Sequence, residues 1–402
     1  MKLHKNLAAA VIDGLRDILI EKKQADLTVA NLLVSNKSWG ARDRNFIAEN
    51  IYQIVRYKRF YEYCIEDELF GEVSLWEMLG TKLLLENGAL PAWNEFESLH
   101  PEKIQQLAQQ ASSIRKIRES IPDWLDEYGE KQVGQNWDKE IAALNTTAGF
   151  SIRVNTLKTS KAIIKKLLTE EGVQLAENDL APDALVVLSR KNFKNHAAYK
   201  NGLFEIQDIA SQLVAPMLNA LPGMNVIDGC CGAGGKTLHI GALMQNEGEI
   251  LAVDVHEKKL VELEKRATRA GCHIIKTMQA AGLSKFHQAL MNSFADRVLL
   301  DVPCSGSGVL RRKPDAKWSL SLKFVNELIQ TQSQILDEYA PLLKKGGTMV
   351  YSTCSIFPAE NEEQIKNFLN RNGSYKLEKE IKISPAQTGF DGFYMAQLCR
   401  VV

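Results

Sequence analysis

Two of the seven cysteines stand where apolar runs give way to small polar residues. Asp301-Val-Pro-Cys-Ser-Gly-Ser-Gly carries Cys304, and Tyr351-Ser-Thr-Cys-Ser carries Cys354. A single cysteine is read first as a small buried hydrophobe. Two of them, each at the end of a strand-like run and each in a Ser- and Gly-rich turn, suit a pair that works together. The chemistry such a pair fits is addition to a pyrimidine ring. C5 of cytosine is too weak a nucleophile to take a methyl group from a sulfonium. A thiolate adding at C6 converts the ring into an enamine, whose C5 can then attack. A second group is needed to end the cycle, when the C5 proton leaves and the thiol is expelled. A nucleophilic thiolate favours a partly exposed site near positive charge, which Lys236 can supply. A surface place at a helix start accounts for Lys236 equally well. Asp301 can hydrogen-bond a base edge and steady charge on the ring, or simply cap the turn at its strand end.

A glycine-rich turn lies upstream, in Val226-Ile-Asp-Gly-Cys-Cys-Gly-Ala-Gly-Gly-Lys-Thr. Gly232, Gly234 and Gly235 let backbone approach a ligand where a side chain would clash. Cysteine stands where a phosphate-binding P-loop needs its first glycine, so that motif is excluded. Asp254, at the end of the next strand-like run, can take both ribose hydroxyls of a nucleoside cofactor.

Strand candidates at 224–230, 249–255, 273–279, 296–303 and 348–354 alternate with helical stretches, notably 257–270 and 325–343. This alternation predicts right-handed crossovers and a mostly parallel, doubly wound α/β sheet covered on both faces. Ligands of such sheets bind outside the carboxyl ends of the strands, which puts both thiols and the glycine turn at one crevice. Ahead of it, 151–155 alternates like a strand, 161–172 is helical, and 184–188 is a short apolar run, a small α/β subdomain. The region from Lys191 to Lys194, with Lys200, is basic enough for RNA, as solvated loop lysines also are. The first 130 residues read as helices: Leu7, Val11, Leu15 and Ile18 keep helical spacing, as do Phe46, Ile47, Ile51, Ile54 and Val55. Pro122, in Ser120-Ile-Pro-Asp-Trp-Leu, marks another helix start. The expected domains are 1–135 (helical), 136–200 (small α/β adaptor) and 201–402 (catalytic α/β).

Composition narrows the classes. Lys+Arg and Asp+Glu number 49 each, so no net field steers the chain toward nucleic acid. RNA contact must come from local patches such as Arg311, Arg312 and Lys313, although a solvated basic loop explains these three as well. The cysteines at 64, 230, 231, 272, 304, 354 and 399 show no zinc spacing, and their odd number argues against a full disulfide framework. No metal is expected. No signal-peptide pattern opens the chain and no apolar run reaches membrane-spanning length, so no membrane partner and a cytoplasmic location are expected.

Taken in order, these motifs resemble the Sun/RsmB family of RNA cytosine-C5 methyltransferases over roughly 150–400. Phe204-Glu-Ile-Gln-Asp-Ile-Ala-Ser-Gln-Leu resembles its lead-in, Asp228–Thr237 its glycine turn, and Asp301-Val-Pro-Cys-Ser-Gly its fourth motif. Arg311-Arg-Lys-Pro-Asp-Ala-Lys-Trp, Gln332–Leu336, Lys345–Ile356, Glu360-Asn-Glu and Asp391–Leu398 follow in the expected order. The resemblance implies a Rossmann-like methyltransferase sheet using S-adenosyl-L-methionine. It implies that Cys354 is the nucleophile and that Cys304 assists release of the methylated base. It also implies that Cys230, Cys231, Gly232, Ala233, Gly234, Gly235, Lys236, Asp254 and Asp301 contact the cofactor. The N-terminal helices are similar to a NusB-like RNA-binding domain, which favours ribosomal RNA of the small subunit over transfer RNA. Two positions depart from the family. Ala233 stands where proline is usual, which predicts a looser turn. Met278-Gln-Ala-Ala-Gly holds no carboxylate where many members place one, and Gln279 offers a side-chain oxygen instead.

Rival classes make different demands. A DNA cytosine methyltransferase would draw its nucleophile from Pro303-Cys304 and leave Thr353-Cys354-Ser355 without a task. A non-catalytic RNA-binding or ribosome assembly factor explains the helices and needs no methyl donor. An NAD oxidoreductase gives the cysteines nothing to do. With the target base extruded into the crevice, an RNA methyltransferase uses every motif.

Overall fold

The computed structural model describes residues 3–66, 71–189, 193–280 and 294–402. Lys191, within the basic stretch noted above, and Ala281 and Gly282, after Gln279, lie outside them. The chain divides into two units, 1–147 with 310–322, and 148–309 with 323–402.

The first unit is helical. Helix Lys5–Leu15 turns Leu7, Val11 and Leu15 inward, and helix Ala41–Arg56 buries Ile47, Ile51, Ile54 and Val55, the helically spaced sets. Pro122 caps helix Asp123–Val133 from the position before its first residue, where a missing N–H costs nothing. The returning segment 310–322 is pinned among these helices by Lys317, which is 1% exposed. Its ammonium donates to the carbonyl of Arg56 at 2.7 Å and to Asn145 Oδ1 at 3.0 Å. Trp318 adds a hydrogen bond from Nε1 to the carbonyl of Val55 at 2.7 Å.

The second unit holds two sheets. The smaller has the order β2-β3-β1-β4, with β1 Phe150–Val154, β2 Leu175–Glu177, β3 Ala184–Val187 and β4 Phe204–Ile206. All its pairings are antiparallel, and helix Lys161–Glu170 buries Ile164 and Leu168 in the same core. The sheet therefore runs past residue 200 to take in β4.

The larger sheet has seven strands in the order β10-β11-β9-β8-β5-β6-β7. Strands β5 (Asn225–Asp228), β6 (Glu249–Asp254), β7 (Ile275–Gln279), β8 (Ala295–Asp301) and β9 (Leu343–Thr353) pair in parallel. The apolar runs of β5, β6, β8 and β9 are buried on both faces, as a sheet covered by crossover helices requires. The two remaining strands, β10 (Tyr375–Ile383) and β11 (Phe393–Arg400), close one edge in antiparallel pairings. Strand order reverses at β5, which lies between β8 and β6. The doubly wound α/β reading is thus what the chain adopts, with both thiols and the glycine turn following central strands.

Candidate active site

Cys304 follows β8 and Cys354 follows β9, so two adjacent parallel strands carry the thiols to the same edge of the sheet. Their sulfurs lie 3.3 Å apart, hydrogen-bonded, and both residues are half-buried and free of disulfides. The hydrogen bond to Cys354, followed by burial, pushes the Cys304 thiol well above its usual range. Either sulfur can donate in this contact, so the pair shares one hydrogen bond.

A buried carboxylate ties the two cysteine turns together. Glu360, fully buried, accepts from the backbone N–H of Ser305 at 2.8 Å, and from the hydroxyls of Ser305 and Ser355 at 2.5 Å each. Gln332 joins them, donating to the Pro303 carbonyl at 3.0 Å and to Glu360 at 3.1 Å. Asn361 donates to the Ser355 carbonyl at 2.9 Å and accepts from the Thr353 hydroxyl. Each cysteine is thus flanked by residues held from one point. Behind them Gly308 and Gly392 touch backbone to backbone, and a Cβ on Gly308 would lie 2.2 Å from the Gly392 carbonyl oxygen. Glu360, Asn361 and Gln332 stood in the sequence only as motif letters. The available signal was a Glu-Asn pair shortly after a strand-end cysteine, too polar to be read as buried.

Asp301 ends β8 with both oxygens engaged, accepting from Lys236 Nζ at 2.6 Å and Ser352 Oγ at 2.9 Å. The charge that Lys236 offers is thus paired with Asp301, and its ammonium also lies 5.2 Å from the centre of the Phe393 ring. The glycine turn joins β5 to helix Gly235–Leu243. Gly232 and Gly234 take φ of +54° and +85°, and a Cβ on Gly234 would meet Leu263 at 2.7 Å, so that position accepts no side chain. Asp254 holds the turn to β6. It accepts from the N–H of Gly232 at 3.0 Å through one oxygen and from that of His256 at 2.8 Å through the other. Each oxygen keeps a second lone pair with which to accept a ribose hydroxyl. Burial pushes the thiols of Cys230 and Cys231 upward, which leaves both protonated and poor nucleophiles.

A hollow of about 280 Å³ opens beside the turn, lined among others by Asp228, Cys230, Gly232, Ala233, Lys236 and Asp301. Asp228 is fully buried there, and burial raises its carboxyl to about 7. One of its oxygens accepts from the Thr237 hydroxyl at 2.7 Å, while Oδ1 has no partner among the described residues. Gln279 ends β7 exposed, its amide donating to the Val255 carbonyl at 3.3 Å. The basic triplet is corrected at one position. Arg311 is 4% exposed within the helical unit, and its carbonyl accepts from Arg56 at 2.8 Å. A guanidinium so enclosed does not reach a phosphate, whereas Arg312 is half-buried and Lys313 exposed. Among the described residues no cluster of side chains is arranged to hold a metal ion, and no helix is long and apolar enough to cross a membrane.

Comparison with known proteins matches residues 215–399 to the family described as 16S rRNA methyltransferase RsmB/F. Residues 121–194 match the ferredoxin-like domain of the same group. Ribosomal RNA small subunit methyltransferase B of Photorhabdus laumondii is 34% identical over 69% of this chain and 66% of that protein. The enzyme of the same name from Pectobacterium carotovorum is 32% identical over 78% of this chain and 72% of that protein. The matched stretch spans 65–66% of the first two such relatives, just under two thirds of their length. The crystal structure of PH0851 superposes over 100% of both chains with a TM-score of 0.84 at 24% identity, a likeness of fold.

Proposed function

This chain belongs to the RsmB/F family of 16S rRNA methyltransferases, and from that premise we propose that it methylates C5 of a cytosine in small-subunit ribosomal RNA. The observation that carries the reading is the sulfur pair 3.3 Å apart after the adjacent strands β8 and β9. Cys354, in the Thr353-Cys354-Ser355 turn after β9, is the sulfur that adds to C6. Once C5 has been alkylated, its proton passes to a water molecule and the C–H electron pair forms the C5–C6 double bond. The C6–sulfur pair returns to Cys354, with Cys304 the neighbour at hand to hydrogen-bond the departing sulfur.

S-adenosyl-L-methionine supplies an electrophilic methyl group when bound. The chain's residues fit it: Asp254 retains acceptor capacity for the ribose, and the turn from Cys230 to Lys236 lines the hollow. Asp228, whose Oδ1 has no partner among the described residues, and Asp301 are the carboxyl groups in the lining of that hollow. Lys236 and Ser352 hold Asp301 so that it keeps one position while the base enters. Extrusion of the cytosine from its stack brings C6 to Cys354. Arg312 and Lys313 are the members of the basic triplet suited to phosphates. A cytoplasmic place follows from this substrate.

The test incubates purified protein with methyl-labelled S-adenosylmethionine and small-subunit RNA, with transfer RNA alongside. Cys354→Ala is expected to transfer no label, and Cys304→Ala to accumulate RNA covalently attached to protein on a denaturing gel. Full turnover by Cys354→Ala would sink the assignment.

A further inference from the structure

The glycine turn is held by two arginines, of which Arg266 also lines the hollow beside it. Arg266 donates from Nη1 to the Ala233 carbonyl at 2.7 Å and from Nη2 to Glu205 at 2.8 Å. Arg153, 2% exposed, donates from Nη1 to the Gly235 carbonyl at 2.6 Å and to the side-chain oxygen of Gln207. Glu205, 3% exposed, is held in turn by Arg269 at 2.5 Å. Arg153 and Glu205 are register partners on β1 and β4, so the small sheet supplies the anchor.

We propose that Arg266 and Arg153 are positioning residues, a clamp by which the small sheet sets the glycine turn in the shape that receives S-adenosylmethionine; the inference rests on the cofactor reading above. Fixing a carbonyl fixes its whole peptide plane. The clamp therefore orients the planes on either side of Gly234 and Gly235, where helix Gly235–Leu243 begins with unpaired N–H groups. Position 233 is where such control is needed, because alanine lacks the ring that locks φ in a proline. Burying charged forks is costly. Setting the buried fork of Arg153 and the half-buried fork of Arg266 on the carbonyls of one short turn, each braced by its own partner, makes sense for a turn whose geometry must be kept. Within this chain the turn that Ala233 leaves free in φ is held by its neighbours.

The experiment reads the clamp and the cofactor separately on the full chain. Amide hydrogen exchange at 232–236 reports the turn, and calorimetric titration with S-adenosylmethionine reports binding. Arg266→Ala is expected to speed exchange in that window and to weaken binding about tenfold, the scale of one charge-assisted hydrogen bond. The kcat at saturating cofactor and the KM for RNA should stay within about twofold of wild type, as for a purely positioning change. Arg266→Lys keeps a charge for Glu205 but cannot fork to both partners. It should hold the fold and move both readouts in the same direction. Unchanged exchange at 232–236 in both variants overturns the clamp. Faster exchange in a chain whose wild type binds no S-adenosylmethionine overturns the cofactor reading instead.

Discussion

Sulfur and carboxyl groups in this molecule take their properties from what surrounds them. The Cys304 thiol is raised by its hydrogen bond to Cys354 and by burial, and those of Cys230 and Cys231, in the glycine turn, are raised first by burial and then by neighbouring carboxylates. The same effect on Asp228 has a measurable consequence. Its carboxyl sits at about 7 in the folded chain against 3.8 when unperturbed. Between those values the folded protein holds a proton that the unfolded chain has released. Stability should therefore fall as pH rises from about 4 to 7, by at most about 4 kcal/mol. Asp228→Asn, which keeps a partner for Thr237, should flatten that slope and be the more stable protein at pH 8 in urea unfolding. An equal loss in both proteins between pH 5 and 8 would show that the carboxyl does not titrate there. At this scale the thiols, the glycine turn, Asp254 and Asp301 were readable because each ends a recognisable strand. Arg311 was not: the sequence reads it as one of three basic residues, and only packing decides that it turns inward while Lys313 stays out.

Elements bring those residues together, and parallel neighbours β8 and β9 do most of that work. Their order follows from apolar runs long enough to be buried on both faces, which is why they were legible. Strand β10 was not, because Tyr375–Ile383 is mostly charged and exposed, the composition of a guarded edge. β4 lies past the expected boundary at residue 200, since three residues do not reveal that their partner is β1, 50 positions upstream. The turns after β8 and β9 depend on Glu360. Glu360→Ala would leave the Ser305 N–H, two hydroxyls and Gln332 without their acceptor. A loss of about 3 kcal/mol is expected for such a buried centre. A fall in kcat of at least about tenfold should accompany it, as the sulfurs lose their spacing. Denaturant unfolding and single-turnover methylation check the two. Intact kcat in a folded Glu360→Ala would separate the network from catalysis.

For the molecule as a whole, a linear division of the chain was the natural expectation, yet residues 310–322 belong with the N-terminal helices. The reason is Lys317, whose ammonium finds its acceptors on Arg56 and Asn145, a pairing that no local pattern announces. Equal numbers of acidic and basic residues mean that recognition of RNA rests on local features and not on net charge. The proposed modification falls on one kind of atom, the C5 of a cytosine, in one kind of RNA. Bisulfite sequencing of ribosomal RNA from cells with the intact gene, without it, and with Cys354→Ala reads that claim directly. A cytosine of the small-subunit RNA is predicted to resist conversion in the first cells and to convert in the other two. Identical conversion maps in all three would contradict it.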